Sequence, residues 1–245
     1  MRFIIYAAGI SERLKLYAPD GIKGLIDFEG KKLMQYQLNW MASYKPDSIV
    51  IVLGMEHERI RDEFGDNHNG ITINYAYNED YNTKGNMLSL WAAREYCDRD
   101  TLFTTSDLLC HPDDIKIFMN KEYDNKILID SSSSLFSDPD PVKASIKNGK
   151  VTRTLKEINS QGVSGIAIGV YMFSKSAISD LLETINDDIK RSDDDKSLYY
   201  SVDSILDKHD VAPVYCKKKE WFDIDTPDEL EMARLYMREH VSEYM

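Results

Sequence analysis

Strands and helices are predicted to alternate along the first part of the chain. Short apolar runs typical of buried strands alternate with segments whose apolar residues recur every three or four positions, as in amphipathic helices. Strands are expected at RFIIYAAG (2–9), DSIVIVLG (47–54), GITINYAYN (70–78) and TLFTTSD (101–107), and helices at KLMQYQLNWMAS (32–43), EHERIRDEFG (56–65) and NMLSLWAAREYC (86–97). This order predicts a mainly parallel sheet with helices on both faces.

The middle of the chain is less regular. Strands are expected at KILIDSS (126–132), PVKASIKNGKVTRTLKEI (141–158) and SGIAIGVYMFS (164–174), and a helix at AISDLLETIND (177–187). The dipeptide Asn148-Gly149 predicts a hairpin turn inside the second of these segments, because it is a strong hairpin signal. The segment 187–197, DDIKRSDDDKS, is charged and poor in apolar residues, which favours a mobile, solvated connection.

One last strand is expected at APVYCKKKEWFDID (212–225), followed by a helix at TPDELEMARLYMREH (226–240). Thr226 suits the N-cap, Pro227 the first helical position, and Glu229 completes a capping box. A length of 245 residues suits one large α/β domain, and no linker rich in Gly, Ser or Pro divides it. We therefore expect one domain with a Rossmann-like, three-layer α/β/α architecture and a mixed, mainly parallel central sheet.

Composition narrows the range of partners. The formal net charge of −12 argues against a nucleic acid or an anionic membrane as partner. No stretch approaches the ~20 apolar residues needed to cross a bilayer, and the apolar opening residues lack the basic leader of a signal peptide. The three cysteines are far apart and form no CxxC pair. This pattern is typical of reduced thiols in a cytoplasm, which is the expected location, and it predicts no zinc site.

A loop of small residues follows the first strand and is the first candidate for chemistry. Ala7, Ala8, Gly9 and Ser11 lie at the carboxyl end of that strand, where backbone N–H groups can approach a triphosphate closely. Arg13 could add a planar fork of donors to phosphate oxygens. A plain strand-to-helix turn with a surface arginine explains the same residues equally well.

Two further polar segments could face a ligand. Lys23, flanked by Gly21-Ile22 and Gly24, could neutralise a phosphate as a mobile point charge, although a lone lysine is more often simply exposed. The polar stretch 78–86 lies between a predicted strand and a predicted helix, where side chains can reach a ligand. Thr83 or Asn86 could instead cap the helix.

Acidic residues at two distant positions indicate a magnesium site. Asp107 ends a hydrophobic strand, at the sheet edge where open α/β folds bind ligands. Asp223 and Asp225 would point to the same face of an extended segment. Mg²⁺ is typically held by one or two carboxylates together with substrate phosphates. Alternatively, Asp107 caps a following helix and Asp225 is a turn residue before the last helix.

Three motifs together resemble a known family. AAGxxxRL at 7–14, KGLxxFxGKxLxxYQL at 23–38 and WFDIDTPDEL at 221–230 are similar to the signature of the sugar-nucleotide and cytidylyl nucleotidyltransferases. The resemblance extends from residue 3 to about residue 235. The sequence departs from the family where Ser11 replaces a usual second glycine and Ile22 a usual proline. Neither change removes a charged group.

The resemblance implies roles for these residues. Arg13, Lys23 and Asp107 would be catalytic, with Mg²⁺ bound by Asp107 together with Asp223 or Asp225. The nucleotide-binding half would cover about 1–110, the acceptor-binding part about 111–220, and the metal motif with its helix about 220–245. The implied nucleotide-binding residues are Ala7, Ala8, Gly9, Ser11, Arg13, Lys23, Asn78, Thr83, Gly85, Asn86 and Ser106.

Two weaker similarities indicate which nucleotide the enzyme would use and which residues would bind the acceptor. N-x-x-Y at 78–81 and N-x-x-S-L-W at 86–91 resemble the subgroup that makes CDP-linked products, such as phosphocholine cytidylyltransferases, which favours CTP over another NTP. Lys143 and Lys156 match central segments that contact acceptor or nucleotide phosphates, although each could be an ordinary strand residue. With Trp221, they are the candidates for acceptor binding.

The expected reaction is transfer of CMP from CTP to a small phosphorylated or phosphonate acceptor, phosphocholine-like, with release of pyrophosphate. A sugar 1-phosphate acceptor is the alternative within this class. A glycosyltransferase would need a D-x-D pair after a central strand, which Ser106-Asp107-Leu108 does not supply. A catalytically inactive, nucleotide-binding regulatory subunit is the remaining alternative. A homodimer is compatible with the sequence, which does not fix the oligomeric state.

Overall fold

The computed structural model describes residues 1–18, 21–54, 57–218 and 220–244. Its helices are α1 Leu33–Ser43, α2 His57–Phe64, α3 Met87–Ala92, α4 Pro112–Asn120, α5 Lys175–Lys190, α6 Leu198–Ile205 and α7 Pro227–His240. Its strands are β1 Arg2–Ala7, β2 Asp27–Phe28, β3 Lys31–Lys32, β4 Ser48–Leu53, β5 Asn67–His68, β6 Ile71–Tyr77, β7 Thr101–Thr105, β8 Leu108–Cys110, β9 Lys126–Asp130, β10 Lys143–Lys147, β11 Lys150–Leu155, β12 Gly165–Phe173, β13 Ala212–Tyr215 and β14 Trp221–Asp223. No helix among these residues is long and apolar enough to cross a membrane.

The central sheet is mixed, with a parallel half and an antiparallel half. Its strand order is β11-β10-β12-β7-β1-β4-β6-β5, and β9 joins through β12 and carries β13 on its other side. Strand β1 pairs in parallel with β4 and β7, and β4 pairs in parallel with β6. Strand β12 runs antiparallel to β7, β9 and β10. The predicted mixed, mainly parallel sheet is confirmed.

Helices cover both faces of the sheet, so the molecule has three layers. Alternate residues of β1 enter different cores: Ile4 packs with α3, α5 and α6, whereas Phe3 and Ile5 pack with α1, α2 and α4. This alternation follows from the two-residue period of a strand. Burial of apolar side chains on both faces stabilises the sheet. The predicted α/β/α layering is therefore confirmed.

A third apolar core lies beside the sheet and positions the end of the chain. It joins the segment after β1 and the β2–β3 region to α7, through residues such as Leu14, Phe28, Leu230 and Met237. The C-terminal helix is thereby fixed against the loop that follows β1. The segments 7–14 and 221–230, which are distant in sequence, become neighbours for this reason.

The predicted final strand at 212–225 is wrong, because the chain forms two strands in different sheets. Strand β13 pairs in parallel with β9, whereas β14 pairs antiparallel with β8 in a small separate sheet. The backbone N–H groups of Lys217 and Lys218 donate to Asp114 Oδ1 over 2.7 and 3.2 Å. These bonds direct the chain away from β9. Lys219 lies outside the described residues.

The charged segment 187–197 is also more ordered than expected. Its first residues form the last turn of α5, which ends at Lys190. Asp188 is buried and accepts from Arg191 over 2.8 Å and from Lys196 over 3.0 Å. The prediction of a solvated connection is wrong for residues 187–190, which are helical and include the buried Asp188, whereas residues 191–197 do connect α5 to α6 without regular secondary structure and are at least partly exposed.

Several local predictions are confirmed. Asn148 and Gly149 have positive φ and close the β10–β11 hairpin, as an Asn-Gly turn should. Thr226 caps α7, with the complete capping box to Glu229.

The helix expected at 86–97 is interrupted, because α3 ends at Ala92 and the chain then forms a separate 3-10 turn. Of the helix expected at 56–65, position 56 lies outside the described residues.

Candidate active site

The loop after β1 begins at the carboxyl edge of the parallel half of the sheet. Ala7 and Ala8 are buried, whereas Gly9 is exposed. The backbone N–H of Ser11 donates to the carbonyl of Gly21 over 3.0 Å, which closes the loop. Because β1 lies between β4 and β7, its loop adjoins the residues that follow β7. A ligand at this edge would meet backbone groups of the loop directly.

Lys23 links two of the predicted acidic residues. It begins a short 3-10 turn, and its Nζ donates to Asp107 Oδ2 over 2.7 Å and forms a short ion pair with Asp225 Oδ1. Arg13 donates to the other oxygen of Asp225 over 2.9 Å. The four charged residues predicted from separate motifs therefore form one network at the sheet edge.

Strand pairing brings the C-terminal motif to Asp107. Asp223 lies opposite Leu108 in the β14–β8 pair, and the backbone N–H of Ile224 donates to the carbonyl of Asp107 over 3.1 Å. Asp225 follows immediately, before α7. The position of the acidic pair is thus set by backbone hydrogen bonds, which do not depend on a bound ligand.

The three carboxylates fit a divalent cation. Oxygen atoms of Asp107, Asp223 and Asp225, one from each, all lie within 4.8 Å of one another. Asp107 Oδ1 is buried and has no hydrogen-bond partner within the described part of the chain. A buried, unpaired carboxylate oxygen is costly unless a donor or a cation satisfies it. Carboxylate oxygens are also the protein ligands that Mg²⁺ takes.

The electrostatics of the network follow from burial and close charges. Burial alone would lower the pKa of Lys23, but Asp107 and Asp225 raise it by more, so the lysine stays an ammonium. Burial alone would raise the pKa of Asp225, but Lys23 and Arg13 lower it overall. Asp223 is exposed to the cavity that it lines, but nearby protein atoms still desolvate its carboxylate. This desolvation, followed by the charges of Asp107 and Asp225, raises the pKa of Asp223 above the usual range.

A cavity of about 600 Å³ opens beside the carboxylates. It lies over the antiparallel half of the sheet, with Ile168 and Tyr171 of β12 in its wall. Other lining residues are Tyr6, Asp130, Lys156, Tyr199, Trp221 and Asp223. Its size suits a small organic molecule. Aromatic rings and acidic side chains are both present on the surface that such a molecule would contact.

The segment 78–86 makes structural contacts as well as bordering the site. Asn78 is buried and donates to Ser89 over 3.3 Å, and Asn86 Oδ1 accepts from the backbone of Leu198 over 2.7 Å. The backbone of Lys196 lies so close to Gly85 that only glycine fits there, since a Cβ would stand 1.8 Å from the carbonyl oxygen of Lys196. Of the predicted residues in this segment, Asn86 lines the cavity.

Of the three predicted acceptor-binding residues, two line the cavity and one does not. Lys156 and Trp221 line the cavity, where they bond Asp140 over 2.9 Å and Asp130 over 3.0 Å respectively. Lys143 is buried, and its Nζ donates to the carbonyl of Lys156 over 2.9 Å. Lys143 therefore reaches the cavity wall only through the backbone of its neighbour.

Thr83 and Ser106 make local contacts. Thr83 Oγ1 donates to the carbonyl of Asp80 over 3.3 Å and does not cap α3. Ser106 is buried, and its backbone N–H donates to the carbonyl of Tyr6 over 3.0 Å, which ties the Asp107 turn to β1.

Two residues that lie at or next to the site, Asp130 and Gln37, were not identified from the sequence. Asp130 ends β9 as Asp107 follows β7, so the rule that identified Asp107 applies to it too. Gln37 lies inside the motif YQL (36–38), and the local sequence pattern indicates no role for it. Its Nε2 donates to the carbonyls of Thr105 and Leu108, each over 2.7 Å.

The fold agrees with comparisons to known proteins. Residues 3–168 match the model of the MobA-like NTP transferase domain. The chain therefore belongs to the MobA-like NTP transferase family, which confirms the predicted nucleotidyltransferase class.

Individual relatives are more distant. The chain is 29% identical over 112 residues to the CMP-5'-(3-aminopropyl)phosphonate synthase of Streptomyces rubellomurinus, covering 46% of this chain and 18% of that protein. It is 21% identical to the CTP:phosphoglutamine cytidylyltransferase of Campylobacter jejuni, covering 95% and 98%. The inositol-1-phosphate CTP transferase from T. maritima has the same fold, with a TM-score of 0.77, 20% identity and coverage of 99% and 95%.

Proposed function

We propose that the chain transfers CMP from CTP to a small phosphorylated or phosphonate acceptor and releases pyrophosphate, with Mg²⁺ as cofactor. One observation carries the proposal. Three carboxylates from two distant segments of the chain converge within 4.8 Å, beside two basic residues and a cavity of about 600 Å³. Nucleotidyl transfer needs this combination of charge neutralisation and positioning, and no covalent intermediate with the protein.

The chain's own residues would act mainly through charge and orientation. Arg13 and Lys23 would bind the triphosphate and stabilise the negative charge that develops on pyrophosphate. Asp107 with Asp223 or Asp225 would hold Mg²⁺. When bound, the metal would neutralise and align the phosphates. An acceptor oxygen would then form a bond to the α-phosphorus in line, as the bond to the pyrophosphate oxygen breaks and its electron pair leaves with pyrophosphate.

The cavity gives the acceptor a place beside the α-phosphorus. Lys156 is the one basic side chain among the described lining residues, and it pairs with Asp140 at the rim. We assign it to the acceptor's phosphate or phosphonate group. Trp221 forms part of the wall next to Asp223, so it would contact the organic part of the acceptor.

The choice of CTP rests on sequence similarity. The motifs at 78–81 and 86–91 resemble those of enzymes that make CDP-linked products. The Streptomyces and Campylobacter relatives carry names that specify a CMP product and a CTP substrate. Their acceptors, a phosphonate and phosphoglutamine, are both small and are not sugars. These similarities support a non-sugar acceptor for this chain.

The test is pyrophosphate release from CTP, UTP, ATP, GTP and dTTP. Each nucleotide is paired with phosphocholine, aminoalkyl phosphonates, a phosphorylated amino acid and sugar 1-phosphates. We expect release with CTP and one non-sugar acceptor, and loss of release in EDTA with recovery on adding Mg²⁺. Release confined to a sugar 1-phosphate would refute the proposed acceptor class. Nucleotide binding without release on the whole panel would favour a regulatory subunit.

A matched pair of variants tests the assigned site. Asp107→Asn should abolish release while leaving the fold intact, because the amide keeps the shape but loses the charge. Asp187→Asn, on the exposed face of α5, makes the same chemical change away from the site and should be neutral. Equal activity of the two variants would refute the role of Asp107.

A further inference from the structure

Lys23 occupies the region where a metal ion would contact Asp107 and Asp225. Its Nζ lies 2.7 Å from Asp107 Oδ2 and in contact with Asp225 Oδ1. The lysine side chain is only 14% exposed. A monovalent ammonium of the protein therefore contacts two of the three carboxylates that fit Mg²⁺ and offsets part of their charge.

Lys23 and a divalent cation would compete for the same two carboxylates, Asp107 and Asp225. Two positive charges repel each other at short range, so the ammonium opposes binding of the metal beside it. The carboxylates therefore have two competing cations, one of them attached to the chain. Lys23 is well suited to move between partners, because its point charge sits on a flexible four-carbon stem.

We infer that Lys23 is a built-in counter-cation that keeps metal off these carboxylates until nucleotide arrives. This inference rests on the proposed metal site. The triphosphate supplies the anionic partner that Lys23 needs in order to leave Asp107 and Asp225. Release of the two carboxylates and entry of the metal then become one event. Metal and nucleotide bind together, and metal alone binds weakly.

The neighbouring arginine favours the same sequence of events. Arg13 holds the second oxygen of Asp225 over 2.9 Å, and its side chain is 59% exposed. It can therefore meet an incoming phosphate first, while its partner is still held by Lys23. Asp223, the third carboxylate of the group, forms no ion pair with Lys23 among the described residues, so the ammonium does not occupy it.

The test measures binding of Mn²⁺ without nucleotide, by the loss of the free Mn²⁺ signal in electron paramagnetic resonance. Wild-type protein should bind weakly. Lys23→Met and Lys23→Gln should bind at least about tenfold more tightly, because the competing charge is removed. Lys190→Met, an exposed change on α5, is the charge-matched control and should bind like wild type. The double variant Lys23→Met, Asp107→Asn should lose the increase in Mn²⁺ affinity.

The melting temperature tests the same inference even if Lys23→Met and Lys23→Gln fold poorly. Removing Lys23 leaves Asp107 and Asp225 without their shared cation, so the variants should melt at lower temperature without metal and recover with Mn²⁺. Lys23→Arg keeps the charge and should show neither effect. Tight Mn²⁺ binding by wild type, equal to that of Lys23→Gln, would overturn this inference alone. No binding by any variant, with CTP turnover unaffected by EDTA, would overturn the metal site as well.

Discussion

The side chain of Gln37 holds the backbone of Leu108 on one side of Asp107, since its Nε2 donates to the Leu108 carbonyl over 2.7 Å. The same nitrogen donates to the carbonyl of Thr105, also over 2.7 Å. Only the amide NH₂ group can serve two carbonyls, which fixes the orientation of the amide. A buried residue of α1 thus clamps both ends of the turn that carries a proposed metal ligand.

Gln37→Leu should therefore impair catalysis more than folding. The loss of both hydrogen bonds frees the Asp107 turn, and a shift of about 1 Å in a catalytic group can lower activity by about 100-fold. Steady-state kinetics and Mn²⁺ affinity should both change. Gln35→Leu, on the same helix and partly exposed, is the control. Unchanged kcat/KM for folded Gln37→Leu would show that the clamp does not position Asp107.

Trp221→Phe should weaken acceptor binding selectively. Trp221 Nε1 donates to Asp130 Oδ2 over 3.0 Å, and both residues line the cavity. Phenylalanine keeps an aromatic wall but leaves this carboxylate oxygen without its donor, which costs on the order of 1–3 kcal/mol. We expect the KM for the acceptor to rise by about 10-fold, with the KM for CTP unchanged. An equal rise for both substrates would argue against a role confined to the acceptor.

The site could be predicted from sequence because its charged residues lie in local motifs. Asp107 is predicted from its position after a buried strand, and Asp225 from the face that it shares with Asp223 in an extended segment. Their contact with Lys23 could not be predicted, since it spans 84 and 202 residues of sequence and depends on the third core and the β8–β14 pair. Local patterns do not specify such long-range packing.

The strand prediction at 212–225 shows a related limit. Both halves of the segment are apolar enough for strands, so the pattern alone suggested a continuous one. The break depends on Asp114, which lies more than 100 residues earlier and accepts from Lys217 and Lys218. Asp188 is a similar case, because the charge pattern of 187–197 does not reveal which carboxylate becomes buried.

Asp188→Asn should destabilise the protein. The buried carboxylate bonds Arg191 over 2.8 Å and Lys196 over 3.0 Å. Weakening buried charged hydrogen bonds costs about 1–3 kcal/mol, which urea unfolding would measure. Asp187→Asn, its exposed neighbour, should change the free energy of unfolding by no more than about 0.5 kcal/mol. Equal stability of the two variants would show that the anchor contributes nothing.

Thr226→Ala should reduce both stability and activity, because the cap of α7 adjoins a proposed metal ligand. Thr226 Oγ1 accepts from the backbone of Glu229 over 3.3 Å, and Glu229 Oε2 accepts from the backbone N–H groups of Asp225 and Thr226 over 2.9 and 2.8 Å. Loss of an N-cap side chain costs about 1 kcal/mol.

Thr226→Ser keeps the hydroxyl and should restore most of both properties. Melting temperature and pyrophosphate release, measured on the same samples, would separate the effects. If Thr226→Ala lowered the melting temperature but left release unchanged below it, the capping box would stabilise α7 without orienting Asp225. Joint loss, with rescue by serine, would mean that the cap fixes the backbone from which Asp225 reaches Lys23 and Arg13.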